Sequence, residues 1–446
     1  MDRLKHLFIV CIGLIFLLSS CLSNKVTRKD KKTLSHLIET SPVFSKHFTG
    51  FVLYDPKTST TLVSKNARKY FTPASNTKIL SLYTALHVLG DSLPVLHYVE
   101  KDSSLIFWGT GNPLFLHPDF STDTSVFNFL KNSVKQLKYY SGNYQDHRYG
   151  EGWMWDDYPY AFHAEKSPFP IYGNTIRIEL NMDDPQIKIQ PTFFEEVFTE
   201  VEKTNTNRLK INREEKYNFF EYSLPDTLKS DLKKEMPFVI TETITRGLLN
   251  DTLKRLTQEL PYLNLDSVNY QTLYQPMTDS IYRRLMHQSD NFIAEQLLLL
   301  CSDKVFGIQD TKRIIEYAKA EVMPNLPDEL LWADGSGISR YNLFTPRSLV
   351  EILNRLHQEI PEDRLFNIFS AGGETGTIAK WYKSTGTPYI FAKTGTLRNN
   401  HNLSGYIKTS SGRLLIFSFM HNHYKGSSGK VKEEMASILQ WIHETY

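Results

Sequence analysis

At 446 residues the chain is longer than one hydrophobic core usually serves, so two or three domains are expected. Hydrophobic residues make up 41% and charged residues 22%, a normal soluble globular balance. The net charge of +2, with no basic stripe dominating the chain, gives no reason to expect a nucleic-acid partner, and none is expected.

The first residues stand apart from the fold. Arg3, Lys5 and His6 make a basic start, and Leu7 to Leu18 is an apolar run too short for a comfortable membrane span. Ser19 and Ser20 follow, so residues 1–20 read as a secretory signal peptide. Leu18-Ser19-Ser20-Cys21 is similar to a bacterial lipobox, in which Cys21 becomes the lipidated first residue; the alternative is plain cleavage nearby. Residues 21–33, with the basic stretch Asn24 to Lys32, then form a lipid-anchored tether drawn to an anionic membrane surface, and the folded part faces the periplasm. Cys11 leaves with the signal. Cys301, after the apolar run Leu297 to Leu300, is a lone thiol expected to pack in the core.

Folded sequence is expected from Leu34. Phe51 to Tyr54 and Thr61 to Val63 read as strands of a hairpin. Ser75 to Leu89 reads as a helix. Roughly Glu100 to Gln275 is rich in Tyr, Asp, Asn and Lys, with short β-like runs such as Thr175 to Leu180, and reads as an insertion with its own small core. Within it, the polar stretch Glu202 to Lys216 is expected to be a mobile loop. Leu403 to Ile407 and Leu414 to Phe419 flank Ser410-Ser411-Gly412 as a second strand pair. Val431, Met435, Ile438, Leu439 and Ile442 recur at helical spacing. Early strands, late strands and a terminal helix point to one sheet built from both ends of the chain. The expected units are 34–100 and 276–446 as one domain, with 101–275 inserted into it.

Three short patterns stand in order: Ser75-Asn76-Thr77-Lys78, Ser289-Asp290-Asn291 and Lys393-Thr394-Gly395-Thr396. Ser-x-x-Lys also occurs at Ser230 and Ser427, and Ser-x-Asn at Ser141 and Ser267, so context must decide. Ser75 opens an apolar-periodic helix, which puts Ser75 and Lys78 one turn apart on one face. An amine there can take a hydroxyl proton if burial and a nearby cation, Lys393, hold it partly neutral. Ser75 could instead be only an N-cap. Ser289 offers a hydroxyl relay to a leaving amine, and Asn291 an amide to hold a substrate backbone; the bland alternative is a cap of the apolar helix that follows. Lys393, Thr394 and Thr396 offer a cation and hydroxyls to a terminal carboxylate, and Gly395 leaves room for a substrate backbone.

With these residues in place the chain resembles the penicillin-binding protein and serine β-lactamase superfamily, and within it the class C low-molecular-mass penicillin-binding proteins, the D-Ala-D-Ala carboxypeptidase/endopeptidase family. The resemblance extends to Phe71 to Ala74, Ala294-Glu295, Asp334 to Arg340 with Asn342, Gly376-Thr377-Ile378 and Ser404-Gly405-Tyr406. It covers about residues 45–110 and 275–446 and is faint between, where Trp153 to Asp157 and Asn174 are the anchors. One departure is Gly111-Asn112-Pro113, where the family usually has Asp in the middle.

The resemblance implies an α+β, β-lactamase/transpeptidase-like fold: an antiparallel sheet flanked by helices, a helical subdomain and an inserted domain. It implies a serine hydrolase acting on peptidoglycan stem peptides through an acyl-enzyme and binding β-lactam antibiotics. Ser75, Lys78 and Ser289 would be catalytic. Asn291, Lys393, Thr394, Gly395 and Thr396 would bind substrate, and the oxyanion would lie between the backbone N–H groups of Ser75 and Thr396. No cofactor and no metal are expected; His421-Asn422-His423 lacks an accompanying carboxylate or Cys cluster. A β-lactamase is the nearest rival, since Glu321 to Asn325 faintly resembles a deacylating element; Pro324 and the insertion argue against it. A non-catalytic scaffold that binds wall peptide is the second rival.

Overall fold

The computed structural model describes residues 26–120, 124–202, 208–276 and 279–446. The expected signal peptide and Cys21 lie outside the described residues. The fold begins earlier than Leu34. Thr27 and Asp30 form a reciprocal capping box, so helix α1 (Arg28–Thr40) starts inside the stretch expected to be a tether.

The sheet expected from both ends of the chain forms. Strands β1 (Phe48–Asp55) and β2 (Thr60–Lys65) make the early hairpin. Helix α2 (Lys78–Leu89) and helix α3 (Asn291–Phe306) lie on either side of the insertion in sequence, and α4 (Pro346–Glu359) follows. Strands β3 (Ile390–Leu397), β4 (Asn400–Lys408) and β5 (Leu414–Asn422) come next, and α5 (Gly429–Thr445) ends the chain. The order across the sheet is a short strand Ser370–Ala371, then β3, β4, β5, β1 and β2, every neighbour antiparallel.

Alternation along the strands sorts the core onto two faces. Phe51, Leu53, Phe417 and Phe419 pack with Leu34 and Ile38 of α1 and with Met435, Ile438, Leu439 and Ile442 of α5. Val52, Ile416 and Met420 point the other way, into a larger core shared by α2, α3 and α4. Cys301 lies in this second core, fully buried and unpaired. Each fully buried Leu or Ile contributes roughly 1.5–3 kcal/mol by leaving water. Burying both faces therefore fixes strand register, and with it the side of the sheet each β3 residue faces.

The inserted region has its own core, but its sheet starts before residue 101. Strand Ser92–Lys101 pairs with Ser104–Gly109 and with Gln271–Pro276, completing a five-stranded mixed sheet with Gln136–Tyr139 and Thr257–Glu259. Only Gly90-Asp91-Ser92 separates α2 from the apolar run Leu93 to Leu96, and so short a polar break does not advertise a domain boundary. Thr175–Asn181 is the centre of a separate three-stranded sheet. Lys210–Arg213 is a strand paired with Phe220–Ser223, not loop as expected.

Candidate active site

The first motif is not one continuous helix. Ala74–Thr77 forms a 3-10 turn and α2 starts at Lys78. Ala74 takes a positive φ of 49°, uncommon for a residue with a Cβ. The surroundings hold it there. Asn402 Nδ2 donates to the carbonyls of Thr72 (3.0 Å) and Pro73 (2.8 Å), and Asn76 Nδ2 donates to Ser404 Oγ at 2.7 Å. Gly337 packs so close that a Cβ there would lie 2.0 Å from the Ala74 carbonyl. Ser75 is not an N-cap: its hydroxyl lies 3.1 Å from Lys78 Nζ.

Lys78 is fully buried. Its ammonium reaches three acceptors: Ser75 Oγ, Asn291 Oδ1 at 2.6 Å and the Ser336 carbonyl at 2.6 Å. Burial lowers its pKa to about 8, against the opposing pull of Asp334, Glu295 and Asp290. A neutral amine has two protons and one lone pair. With Asn291 and Ser336 holding the protons, the lone pair faces Ser75 Oγ, as a base should. The expected effect of the second cation falls on the other partner. Lys393 is the one held well below its ordinary pKa, by burial and then by Lys78.

Asp290 in the second motif is a cap, accepting from the Ile293 N–H at 3.0 Å and from Arg284 Nε at 2.8 Å. Ser289 sits just before it with a φ of 57°, its Oγ accepting from Lys393 Nζ at 2.8 Å. Asn291 Oδ1 is taken by Lys78, and Nδ2 donates to the Phe162 carbonyl at 2.9 Å. One amide proton of Asn291 is left for a substrate.

The third motif requires two corrections. Lys393 was expected to meet a substrate carboxylate, yet it is fully buried and spends its ammonium on Ser289 Oγ and the Thr394 carbonyl. Gly395 was expected to make room for a substrate backbone. Its missing side chain makes room instead for the nucleophile turn: a Cβ would lie 2.2 Å from the Pro73 carbonyl and 2.8 Å from Asn76 Oδ1. Both follow from strand alternation, which turns Lys393 and Gly395 inward and leaves Thr394 and Thr396 on the other side. Thr394 Oγ1 lies 2.7 Å from Thr377 Oγ1, and Thr396 Oγ1 lies 2.8 Å from His401 Nδ1.

Ser75, Ser289, Thr394 and Thr396 open onto one cleft of about 380 Å³. Its other walls are Thr377, Ile378, Trp381, Tyr382, His401 and Lys432. None of these lining residues is a carboxylate. Glu321, the residue a β-lactamase reading leans on, is exposed and does not line the cleft. Several supporting residues were not assigned roles from sequence. Buried Glu295 accepts from the Gly335 and Ser336 N–H groups, at 3.1 and 2.7 Å, and so aims the Ser336 carbonyl at Lys78. Burial raises the Glu295 pKa to about 7. Asp334 accepts from the Gly337 and Ser339 N–H groups and from Trp153 Nε1, at 2.8, 2.7 and 2.8 Å. Trp153 and Phe162 tie the insertion to the catalytic motifs. Among the described residues no group of three or more His, Cys, Asp or Glu is placed to hold a metal. His421 is buried, stacked on Phe44 and 3.0 Å from Thr49 Oγ1.

A family model, D-Ala-D-Ala carboxypeptidase 3 (S13) family, matches residues 30–218 and 268–444. D-alanyl-D-alanine carboxypeptidase DacB of Haemophilus influenzae is 22% identical, over 89% of this chain and 90% of the relative. Penicillin-sensitive carboxypeptidase A of Dictyostelium discoideum is 20% identical, over 80% of this chain and 78% of the relative. Among solved structures, penicillin binding protein 4 (dacB) of H. influenzae superposes with a TM-score of 0.73 at 18% identity, covering 93% of this chain and 99% of that one. It has also been solved with a β-lactam bound. A predatory peptidoglycan endopeptidase of Bdellovibrio bacteriovorus gives a TM-score of 0.51 at 15% identity, over 89% of this chain and 93% of that one.

Proposed function

The chain belongs to the D-Ala-D-Ala carboxypeptidase 3 (S13) family, and from that premise we propose that it is a serine hydrolase that cleaves D-Ala peptide bonds of peptidoglycan stem peptides and is acylated by penicillins. The observation that carries this reading is Ser75 Oγ at 3.1 Å from a fully buried Lys78 whose pKa is lowered to about 8. Lys78 takes the Ser75 proton as Oγ attacks the D-Ala carbonyl. The tetrahedral oxyanion is met by the backbone N–H groups of Ser75 and Thr396, each such donor typically worth about 10²–10³ in rate. The C–N bond then breaks. Lys393 donates to Ser289 Oγ, which leaves the Ser289 hydroxyl proton free to reach the leaving amine. Ser289 regains a proton from the Lys78 ammonium, which makes Lys78 the neutral base again. Lys78 then deprotonates the water that attacks the ester and returns that proton to Ser75 Oγ as the ester C–O bond breaks. Asn291 orients Lys78 through Oδ1 and offers its spare amide proton to the substrate backbone.

Among the described residues no carboxylate lines the cleft, which favours this reading over a β-lactamase, since fast penicillin deacylation there would lean on a dedicated acidic base. Intact-mass spectrometry after penicillin treatment tests the assignment. One adduct is expected, on Ser75, and none on Ser75→Ala; a Ser75→Ala protein that still labels would sink it.

Residues 1–20 are, in this reading, a signal peptide, and Cys21 carries the lipid that holds the enzyme to a membrane in the periplasm. Support comes from Leu18-Ser19-Ser20-Cys21. A Cys21→Ala protein should leave the membrane fraction; retention under high salt would rule out the lipid anchor.

A further inference from the structure

Resting on the function proposed above, the substrate bears a free carboxylate on the residue beyond the scissile bond, and some group in the cleft must recognise it. Lys393 is the obvious candidate by sequence, but it is buried and committed to Ser289 and the Thr394 carbonyl. Among the described residues that line the cleft, Lys432 is the one cation.

Three observations set Lys432 apart. First, it has no carboxylate within ion-pair distance among the described residues; its Nζ stands over the Trp381 ring, 5.8 Å from the centroid. Second, α5 begins at Gly429 and has no acidic residue in its first turn. A cation near the N-terminal end of a helix opposes the macrodipole, so nothing in α5 itself favours a lysine there. Third, the neighbouring groups are arranged as donors. His401 is held neutral, its pKa lowered to about 3 by burial and then by Lys432. Its Nε2 is buried without a partner. A buried N–H without a partner is rarer than an unpaired acceptor, so we assign the proton to Nδ1, which then donates to Thr396 Oγ1. That frees the Thr396 hydroxyl proton for a ligand. In the Thr377–Thr394 pair one hydroxyl donates to the other, again leaving one proton free.

We propose that Lys432, standing against Trp381 on the rim of the cleft, is the specificity-determining cation that binds the free carboxylate beyond the scissile bond, with the Thr394 and Thr396 hydroxyls completing the site. Lys393 then acts through Ser289, and carboxylate recognition comes from the C-terminal helix. The carboxylate of a penicillin has the same charge and would be read by the same groups.

The test uses the parent enzyme with Lys432→Met and Lys432→Arg. The substrates are an N-acylated peptide ending in D-Ala-D-Ala with its free carboxylate and the same peptide as the C-terminal amide. Lys432→Met keeps the apolar stem beside Trp381 and removes only the charge. It is expected to lower kcat/KM for the free acid by about 10- to 100-fold, chiefly through KM, as loss of one charge-assisted hydrogen bond should. The amide should change by no more than about twofold, because its terminus offers no charge to pair. Lys432→Arg should restore most of the free-acid activity. Equal losses on both peptides, or an undiminished free-acid rate, overturn the inference while leaving the proposed function intact. A parent enzyme that turns over neither peptide overturns the proposed function and this inference together.

Discussion

Substituting Gly395 by Ala tests how the nucleophile is held. The new Cβ would sit 2.2 Å from the Pro73 carbonyl, 2.8 Å from Asn76 Oδ1 and 2.9 Å from the Asn76 N–H nitrogen. Real contacts of this kind are not made below 3.0 Å. Strand β3 and the Ala74–Thr77 turn must therefore part by about 1 Å, since close-packed interiors leave no slack to absorb it. The turn cannot simply yield, because Asn402 and the Asn76–Ser404 hydrogen bond pin it to β4, the neighbour of β3. A displacement of that size at a reacting group costs about 100-fold in rate. Overpacking of the site costs roughly 1–3 kcal/mol in stability. Stopped-flow acylation by a fluorescent penicillin, alongside a thermal melt, reads both quantities. The expected result is a folded enzyme with a lowered Tm and acylation slowed by about two orders of magnitude. Parent-like acylation with an unchanged Tm would refute the claim that Gly395 serves the turn. A lowered Tm with parent-like acylation would show that the turn moves without moving Ser75.

The acylation rate should depend on pH with a definite sign. The neutral amine of Lys78 is the base, and its pKa is lowered to about 8, so the rate should rise as pH rises through about 8 and fall about tenfold per unit well below it. A profile flat between about pH 6 and 9 would mean that the Ser75 proton goes elsewhere. Lys393→Met should slow free-acid and amidated peptides by the same factor, roughly 100-fold, because Lys393 works through the Ser289 relay. A loss confined to the free acid would return carboxylate recognition to Lys393.

Much of the architecture is legible in sequence because its signals are local. Leu414 to Phe419 alternates between two faces, Ser410-Ser411-Gly412 marks the turn before it, and Val431 to Ile442 keeps a helical period. The three motifs are legible for the same reason: each is a short run with a recognisable neighbour. What escapes is long-range or directional. Phe162 meets Asn291 through a backbone carbonyl 129 positions away, and no side-chain pattern advertises a carbonyl. Glu295 stands inside a quoted match, but its work on the Gly335 and Ser336 N–H groups depends on a loop 40 residues further on. Lys432 looks like any lysine on the polar face of a helix until α5 is laid across the sheet beside β4. The inward turn of Lys393 and Gly395 could have been read from alternation along β3, since Ala392 and Gly395 fall on opposite sides once the strand is in register. The onset of α1 was also readable, from Thr27-x-x-Asp30 ahead of Leu34 and Ile38; the run of lysines around it masks the capping box.

The central claim is that Ser75 and Lys78 make this chain a D-Ala-releasing serine hydrolase. Its most direct test is product analysis of purified wall peptides incubated with the enzyme. The parent protein is expected to release either free D-Ala from pentapeptide stems or the amine side of a D-Ala crosslink, and Ser75→Ala to release neither. Intact stems and crosslinks after prolonged incubation with the parent enzyme, or equal release by Ser75→Ala, would contradict it.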